Sequence, residues 1–236
     1  MIYSSLAKFY DALVGNEAAT KQWVDFTIHH QQGNNILDMA CGSGDIAIAL
    51  TKCGFKVDAC DLSEAMLKHA QSKMGSEAIH FFVMDMSKPC FLKNYDTITC
   101  YCDSLNYLID DNLVLHLFQA VYKALNNSGT FLFDIHSLDR IDEFKDEFYE
   151  EGTLNDLQYE WSILSDDDLL YQNFIFFDAN AHRQMEQHIQ RVYNPTWIYQ
   201  QLVNIGFKVE IYTDFIQAGI QSGEKIFFVA KKEMER

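Results

Sequence analysis

Ile36-Leu37-Asp38-Met39-Ala40-Cys41-Gly42-Ser43-Gly44-Asp45-Ile46-Ala47 is the stretch that decides how this chain folds. Ile36 to Ala40 is a short apolar run broken only by Asp38, which reads as a buried strand. Gly42 and Gly44 follow at once, and an apolar helical pattern starts behind them. A strand, a glycine turn and a helix in that order make a cradle for a nucleotide or cofactor. Glycine permits backbone angles closed to other residues, and it lets a ligand approach the main chain. The spacing Gly42-x-Gly44-x-x-Ala47 also fits a dinucleotide fingerprint, whose third position tolerates Ala. Asp38 argues against that ligand. Near the carboxyl end of the strand, a carboxylate would repel a pyrophosphate but accept from an ammonium. Asp45 adds negative charge at the helix start. The turn suits a ligand with a cationic end and no phosphate.

Around this turn, 236 residues allow one large α/β domain and are too few for two comfortable ones. Apolar residues make up 48%, enough for a full core. No Pro/Gly/Ser-rich linker, internal repeat or low-complexity tract interrupts the chain. No window of membrane-span length is free of charge, and the N-terminus lacks a signal-peptide pattern. A cytosolic protein without a membrane partner is expected. The six cysteines are scattered through one half of the chain, which fits reduced thiols better than a disulfide framework. Cys100-x-Cys102 has no second pair at ligand spacing, so it reads as strand residues and no metal site is expected. The net charge is −16, from 34 acidic and 18 basic residues, with no basic run. Nucleic acids and anionic membranes demand several cationic contacts and are disfavoured as partners.

The pattern predicts helices over Tyr3 to Leu13 and Glu17 to His30, then strand Asn35 to Ala40 and helix Asp45 to Cys53, stopped by Gly54. Strand Phe55 to Asp61 follows, and Ser63 caps a helix reaching Lys73. Strands Ile79 to Met84 and Thr97 to Cys102, helix Asp111 to Leu125 and strand Thr130 to His136 complete a βαβ alternation. Such alternation implies a parallel sheet covered on both faces. The rhythm then changes. Gln158 to Leu164 and Leu169 to Asp178 alternate as a hairpin around Asp166-Asp167-Asp168, continued by a third strand from Arg183 to Tyr193. Asn194-Pro195 starts a helix, Thr196 to Ile205, that Gly206 stops. Phe207 to Asp214 and Lys225 to Ala230 form a last antiparallel pair.

Asp38-Met39-Ala40-Cys41-Gly42-Ser43-Gly44 resembles the first motif of the class I S-adenosylmethionine-dependent methyltransferases, whose cofactor carries an ammonium and a sulfonium but no phosphate. Cys102-Asp103-Ser104-Leu105-Asn106-Tyr107-Leu108, Phe131-Leu132-Phe133-Asp134-Ile135-His136, Phe9-Tyr10-Asp11 and Trp23 extend the resemblance over nearly the whole chain. They are similar to a largely uncharacterised bacterial group acting on small molecules. More distantly, His188 and Arg191 match a His-x-x-Arg of sugar N-methyltransferases. The resemblance implies an α/β, Rossmann-like fold with a seven-stranded, mostly parallel sheet and helices on both faces. Residues 1–137 and 194–236 would hold the cofactor, and 138–193 would form an antiparallel β insertion, a lid or a dimer surface.

The implied activity is methyl transfer from S-adenosylmethionine to a small-molecule amine or hydroxyl, in a monomer or homodimer. Implied cofactor contacts are Tyr10, Trp23, Asp38, Ala40, Gly42, Gly44, Asp45, Asp61, Leu62, Met66, Asp85, Met86, Cys102 and Asp103. Asp61, ending its strand, can accept both ribose hydroxyls of either a dinucleotide or a methyl donor. Asp85 and Met86 face the adenine, or Asp85 is a turn residue before Ser87. Candidates to take the acceptor's proton are His136, Tyr107 and Asp103, with His188 beside them. Most aromatics of the insertion read as core, with one or two left to line an acceptor pocket. Arg183 and Arg191 hold an acceptor carboxylate or bridge to the acidic stretch from Asp142 to Glu151. Two other readings share the turn: an NAD-dependent oxidoreductase, and a cofactor-binding protein without turnover.

Overall fold

The computed structural model describes residues 17–91, 93–154, 157–177 and 183–233. The predicted helix over Tyr3 to Leu13 therefore lies outside the described residues. The first half alternates as expected: α1 (Glu17–His30), β1 (Asn35–Met39), α2 (Asp45–Lys52), β2 (Lys56–Asp61), α3 (Glu64–Ser72), β3 (His80–Val83), β4 (Tyr95–Cys100), α4 (Asp111–Ala124) and β5 (Leu125–His136). A short α5 (Asp139–Glu143) leads to β6 (Phe148–Leu154), β7 (Leu157–Asp166), β8 (Leu169–Phe177) and β9 (Arg183–Arg191). The chain returns through α6 (Pro195–Ile205), β10 (Phe207–Thr213), β11 (Gln217–Ala218) and β12 (Lys225–Lys232).

The large sheet has the order β11-β10-β12-β5-β4-β1-β2-β3. Strands β1 to β5 run parallel, while β12 is antiparallel to both β5 and β10. The expected seven strands become eight because the two-residue β11 pairs with β10. Period-2 alternation sorts the core into two layers. Leu37, Met39, Ile98, Phe131, Phe133 and Phe228 pack on one face with Val114, Leu117, Phe118 and Val121 of α4 and Ile198 and Leu202 of α6. Ile36, Val57 and Ala59 point to the other face, against Val24 of α1 and Ala47, Ile48 and Leu50 of α2. Helices thus cover both faces, as a buried parallel sheet requires.

Local signals set the helix ends. Ser63 Oγ accepts from Met66 N, Asp110 Oδ1 from Asn112 N and Asn194 Oδ1 from Thr196 N. Each satisfies an N–H that the helix leaves free. Gly206 ends α6 at φ +115°. β5 starts at Leu125 rather than Thr130, because the β4–β5 register jumps from Tyr95–Leu125 to Thr97–Thr130 around a bulge.

The remaining strands form a separate antiparallel sheet, β6-β7-β8-β9. It has four strands where three were expected. β6 reads Phe-Tyr-Glu-Glu-Gly-Thr-Leu and is exposed along Phe148 to Glu151, so no alternation announces it.

Candidate active site

The chain leaves β1 with β2 on one side and β4 on the other, so the strand order reverses there. Open α/β sheets bind ligands outside the carboxyl ends of their strands at such a point. A cavity of about 820 Å³ lies there, bordered by the carboxyl edge of the large sheet and by Trp161, Ile163, Leu170, Gln172, Phe174, Ile189 and Gln190 of the antiparallel sheet. Of the inserted aromatics, Phe144, Trp161 and Phe174 border the cavity, the last two stacked on each other at 5.4 Å, while Phe176 is core.

The turn after β1 is shaped by left-handed residues at Ala40 (φ +56°), Gly42 (φ +52°) and Gly44 (φ +77°). Ala40 carries a side chain in that conformation, which costs about 1–2 kcal/mol. A Cβ at Gly42 would meet only Met66 Cε, at 3.8 Å, so glycine there leaves the cavity side of the turn open. Gly44 plays another part. It does not border the cavity, and a Cβ there would stand 2.9 Å from Ala70 Cβ, so it lets α2 pack against α3.

Asp61 pins this turn to β2. Its Oδ2 accepts from Gly42 N at 2.9 Å and its Oδ1 from Ser63 N at 2.8 Å, and each oxygen keeps a lone pair for a ligand. Burial raises its pKa against the pull of those N–H groups. Asp38 is buried, accepts from Thr99 Oγ1 at 2.8 Å, and is pushed up by burial to about 7. Asp45 takes Ser43 Oγ at 2.9 Å and Lys73 Nζ at 2.7 Å, so its charge is already answered. Asp85 borders the cavity with Met86, and its Oδ1 accepts from Ser87 N, which is the turn expected of it. Leu62, Met66, Ala40, Trp23 and Cys102 border the cavity too. Tyr10 lies outside the described residues.

Beyond β4, Cys102 and Asp103 are consecutively left-handed (φ +56° and +57°), so Cys102 is a turn residue and not the strand residue expected. Their N–H groups converge on Asp134 of β5, at 2.8 and 3.1 Å, and Trp23 Nε1 donates to the same carboxylate at 3.4 Å. Lys225, at the start of β12, bonds Asp103 Oδ2 and stands 3.4 Å from Asp134 Oδ2. Burial would raise the Asp103 carboxyl, but His136 and the Lys225 ammonium hold it down at about 2. Asp134 is fully buried, and burial pushes its carboxyl up. Burial opposes the Lys225 ammonium, yet the two carboxylates hold its pKa above the ordinary value.

His136 ends β5 at 5% exposure, with its Nδ1 3.4 Å from Asp103 Oδ1 and its Nε2 3.2 Å from Gln190 Oε1. Burial lowers its pKa despite the Asp103 charge beside it. Tyr107 borders the cavity, and its hydroxyl lies 2.9 Å from Nδ1 of His188, which is buried behind it and does not reach the cavity. Arg191 bridges Asp168 and Asp111 at 2.7 and 2.6 Å, which corrects the expected bridge to the 142–151 stretch. Arg183 is exposed. Sequence reasoning missed Lys225 and Gln190. Lys225 sits directly across from His136 in the β5–β12 register, a neighbour that only the strand order reveals. Among the described residues no group of three metal-ligating side chains gathers. No helix among them is long and apolar enough to cross a membrane.

The described residues bordering the cavity include Asp38, Asp45, Asp61, Asp85, Asp103 and Glu224. Arg140 is the one Lys or Arg among them, and it is paired with Glu143 at 2.6 Å. That set fits a ligand that is cationic and lacks phosphate. A family model described as "Methyltransferase domain" matches residues 36–129. The protein of Geobacillus sp. (strain WCH70) named "Putative methyltransferase GWCH70_2453" is 37% identical, over 98% of this chain and 100% of its own length. The crystal structure of an S-adenosylmethionine-dependent methyltransferase from Clostridium acetobutylicum ATCC 824 superposes with a TM-score of 0.83 at 27% identity, covering 98% of this chain and 99% of that one. The sugar N-methyltransferase KedS8 from Streptoalloteichus sp ATCC 53650 shares the fold at a TM-score of 0.77 and 18% identity, covering 96% and 92%. The fold and cavity define a Rossmann-like methyltransferase. The chain belongs to the class I S-adenosylmethionine-dependent methyltransferases, and the oxidoreductase reading falls away.

Proposed function

We propose that this enzyme methylates an amine or hydroxyl of a small molecule, held between the large-sheet edge and the antiparallel sheet. The observation that carries this reading is the cavity itself. It is continuous from the turn after β1 to the apolar wall of Trp161, Ile163 and Phe174, and its volume falls within the roughly 300–1,000 Å³ of small-molecule sites. The net charge of −16 argues against a nucleic-acid acceptor. KedS8, a sugar N-methyltransferase by its title, offers a precedent for a small acceptor on this fold.

In this reading residues 1–137 and 194–236 hold the cofactor, and 138–193 supply the acceptor's wall. Asp38 receives the ammonium, Asp61 the ribose hydroxyls, and Leu62 and Met66 flank the adenine with Asp85 and Met86 at its edge. Ala40, Gly42 and Asp45 border the cofactor along the turn, as do Trp23, Cys102 and Asp103 nearer the methyl. Bound S-adenosylmethionine supplies an electrophilic methyl on a sulfonium. The chain's own work is to align the acceptor's lone pair with that methyl, exclude water and take up one proton. Tyr107, His136 and Asp103 are the groups placed to handle the proton.

Titration calorimetry with S-adenosylmethionine and NAD, on wild type and Asp61→Ala, tests the cofactor half. Micromolar methyl-donor binding that weakens at least tenfold in the variant is expected, with NAD silent. A panel of small amines and alcohols, read by S-adenosylhomocysteine release, tests the acceptor half. Turnover on RNA or protein with none on the panel would overturn it.

A further inference from the structure

Strand β9 carries a row of polar side chains where an antiparallel sheet normally buries apolar ones. Glu186, His188 and Gln190 share one face by the two-residue period, and all three are buried, His188 at 1% exposure. Buried polar groups of this kind are costly unless bonded, and hydrogen bonds account for Gln190 and for Nδ1 of His188, while the Glu186 carboxylate faces Nε2 of His188 at an ion-pair distance beyond hydrogen-bond reach. Gln190 reaches the Asp103 carbonyl and His136. His188 reaches the Tyr107 hydroxyl at 2.9 Å through Nδ1 and stands 3.7 Å from Glu186 Oε2 through Nε2. The Phe174 ring meets the His188 ring edge-on, with centroids 5.5 Å apart at 86°, and fixes its plane.

Which ring nitrogen carries the proton is set by the partner of the other. A carboxylate beside Nε2 draws the proton there and leaves the Nδ1 lone pair for Tyr107. The Tyr107 hydroxyl then donates to His188, on a residue that borders the cavity. A nucleophile, a base and an orienting carboxylate in line is the general arrangement for activating a proton-bearing group. Here the group at the head of the line is a phenol on a residue that borders the cavity.

We propose that Tyr107, His188 and Glu186 form a proton relay, in which Tyr107 takes a proton from the methyl acceptor while His188 Nδ1 takes the Tyr107 proton. Glu186 is the positioning residue that holds the His188 tautomer. The acceptor's N–H or O–H bond breaks, and its heteroatom lone pair forms the new bond to the methyl carbon. The electron pair of the broken carbon–sulfur bond leaves with sulfur. The acceptor's proton ends on Tyr107 Oη and the former Tyr107 proton on His188 Nδ1. The resulting imidazolium stands against the Glu186 carboxylate until the proton returns through Tyr107 to the cavity, where solvent takes it after product release. The relay rests on the small-molecule reading above, but the state of His188 in the free protein does not.

The test is long-range ¹H–¹⁵N NMR on the full chain labelled at histidine. The His188 signal is assigned by its loss in His188→Gln or, should that chain not fold, by its displacement in Tyr107→Phe. The expected result is an Nε2–H tautomer in wild type, a mixture in Glu186→Gln, and a displaced Nδ1 signal in Tyr107→Phe. An Nδ1–H tautomer in wild type, donating to Tyr107, overturns the relay. With an acceptor found on the panel, Tyr107→Phe should lower kcat about 10²-fold. Glu186→Gln should lower kcat about tenfold, with the acceptor KM unchanged. Wild-type kcat in Tyr107→Phe also overturns the relay. Calorimetry on the same samples separates the two claims. If wild type fails to bind S-adenosylmethionine, the functional reading fails while the tautomer still decides the relay geometry.

Discussion

The wall made by the β1–α2 turn is held by main-chain groups, whereas the wall facing it is held by side chains. On the first, Asp61 grips the amides of Gly42 and Ser63, and left-handed residues set the curve. On the second, Gln190, Gln172 and Trp161 reach in from strands of another sheet. Main-chain amides survive most substitutions, so the turn wall is vulnerable chiefly where a side chain will not fit. The facing wall can be rewritten one residue at a time while the fold stays intact. A family can therefore share one methyl donor and diverge in acceptor. Between the walls lies the Asp103–Asp134–Lys225 cluster, which belongs to both: it takes main-chain N–H groups at one end and meets His136 at the other.

Breaking that junction should have the largest effect. Asp134→Ala strands the buried Lys225 ammonium with one carboxylate and leaves the Cys102 and Asp103 amides without an acceptor. A loss of about 3–5 kcal/mol is expected by urea unfolding. A loss below ~1 kcal/mol would show that the junction is not structural. Gly44→Val comes next, because it adds a side chain at φ +77° against Ala70, and about 3 kcal/mol is expected from strain and overpacking together. Gly42→Ala, with open space ahead of it, should fold more nearly as wild type yet bind S-adenosylmethionine more weakly.

Asp38 sharpens the contrast through pH. Its carboxyl is raised to about 7 in the folded chain and titrates near ~3.9 when unfolded. Between those values the folded state holds the extra proton, so stability falls as pH rises, by up to about 1.4 kcal/mol per pH unit. Unfolding of wild type and Asp38→Asn at pH 5 and 7.5 measures this. The difference between the two chains should change over that range, and parallel curves would place the Asp38 charge in the ordinary carboxylate range. The smallest effect is expected at the rim. Arg191→Ala removes two partly exposed ion pairs, for about 1 kcal/mol or less, and the loss should shrink further in high salt.

These differences also explain what could be read from the residues in order. The turn wall is local: Asp38, Gly42, Gly44, Asp61 and Asp85 follow one another along successive β–α units, so spacing alone placed them at one edge. The junction is not local. Lys225 and Asp103 are 122 residues apart, and they meet because β12 inserts beside β5. Cys102 gives no signal for a left-handed residue, and Asp103, of a type that tolerates that region, gives only a weak one. The conformation is held by Asp134, whose carboxylate binds both amides from another strand. The helix ends were legible wherever Ser63, Asn194 and Gly206 supplied their own signals. The fourth inserted strand and the true partners of Arg191 were hidden because exposure and distant pairing leave no periodicity.

The position of β12 also bears on how the chain is made. In the finished sheet it lies between β5 and β10, yet it follows both in the sequence. While residues 137 to 224 are still being synthesised, on the order of 5–20 s at ribosomal speed, the edge of β5 that carries Phe131 and Phe133 has no strand to pair with. Such an edge invites association with other chains. The nascent protein thus passes through a sticky interval that ends only when β12 emerges, and this enzyme should depend on holdase-type chaperones during synthesis more than its finished stability would imply.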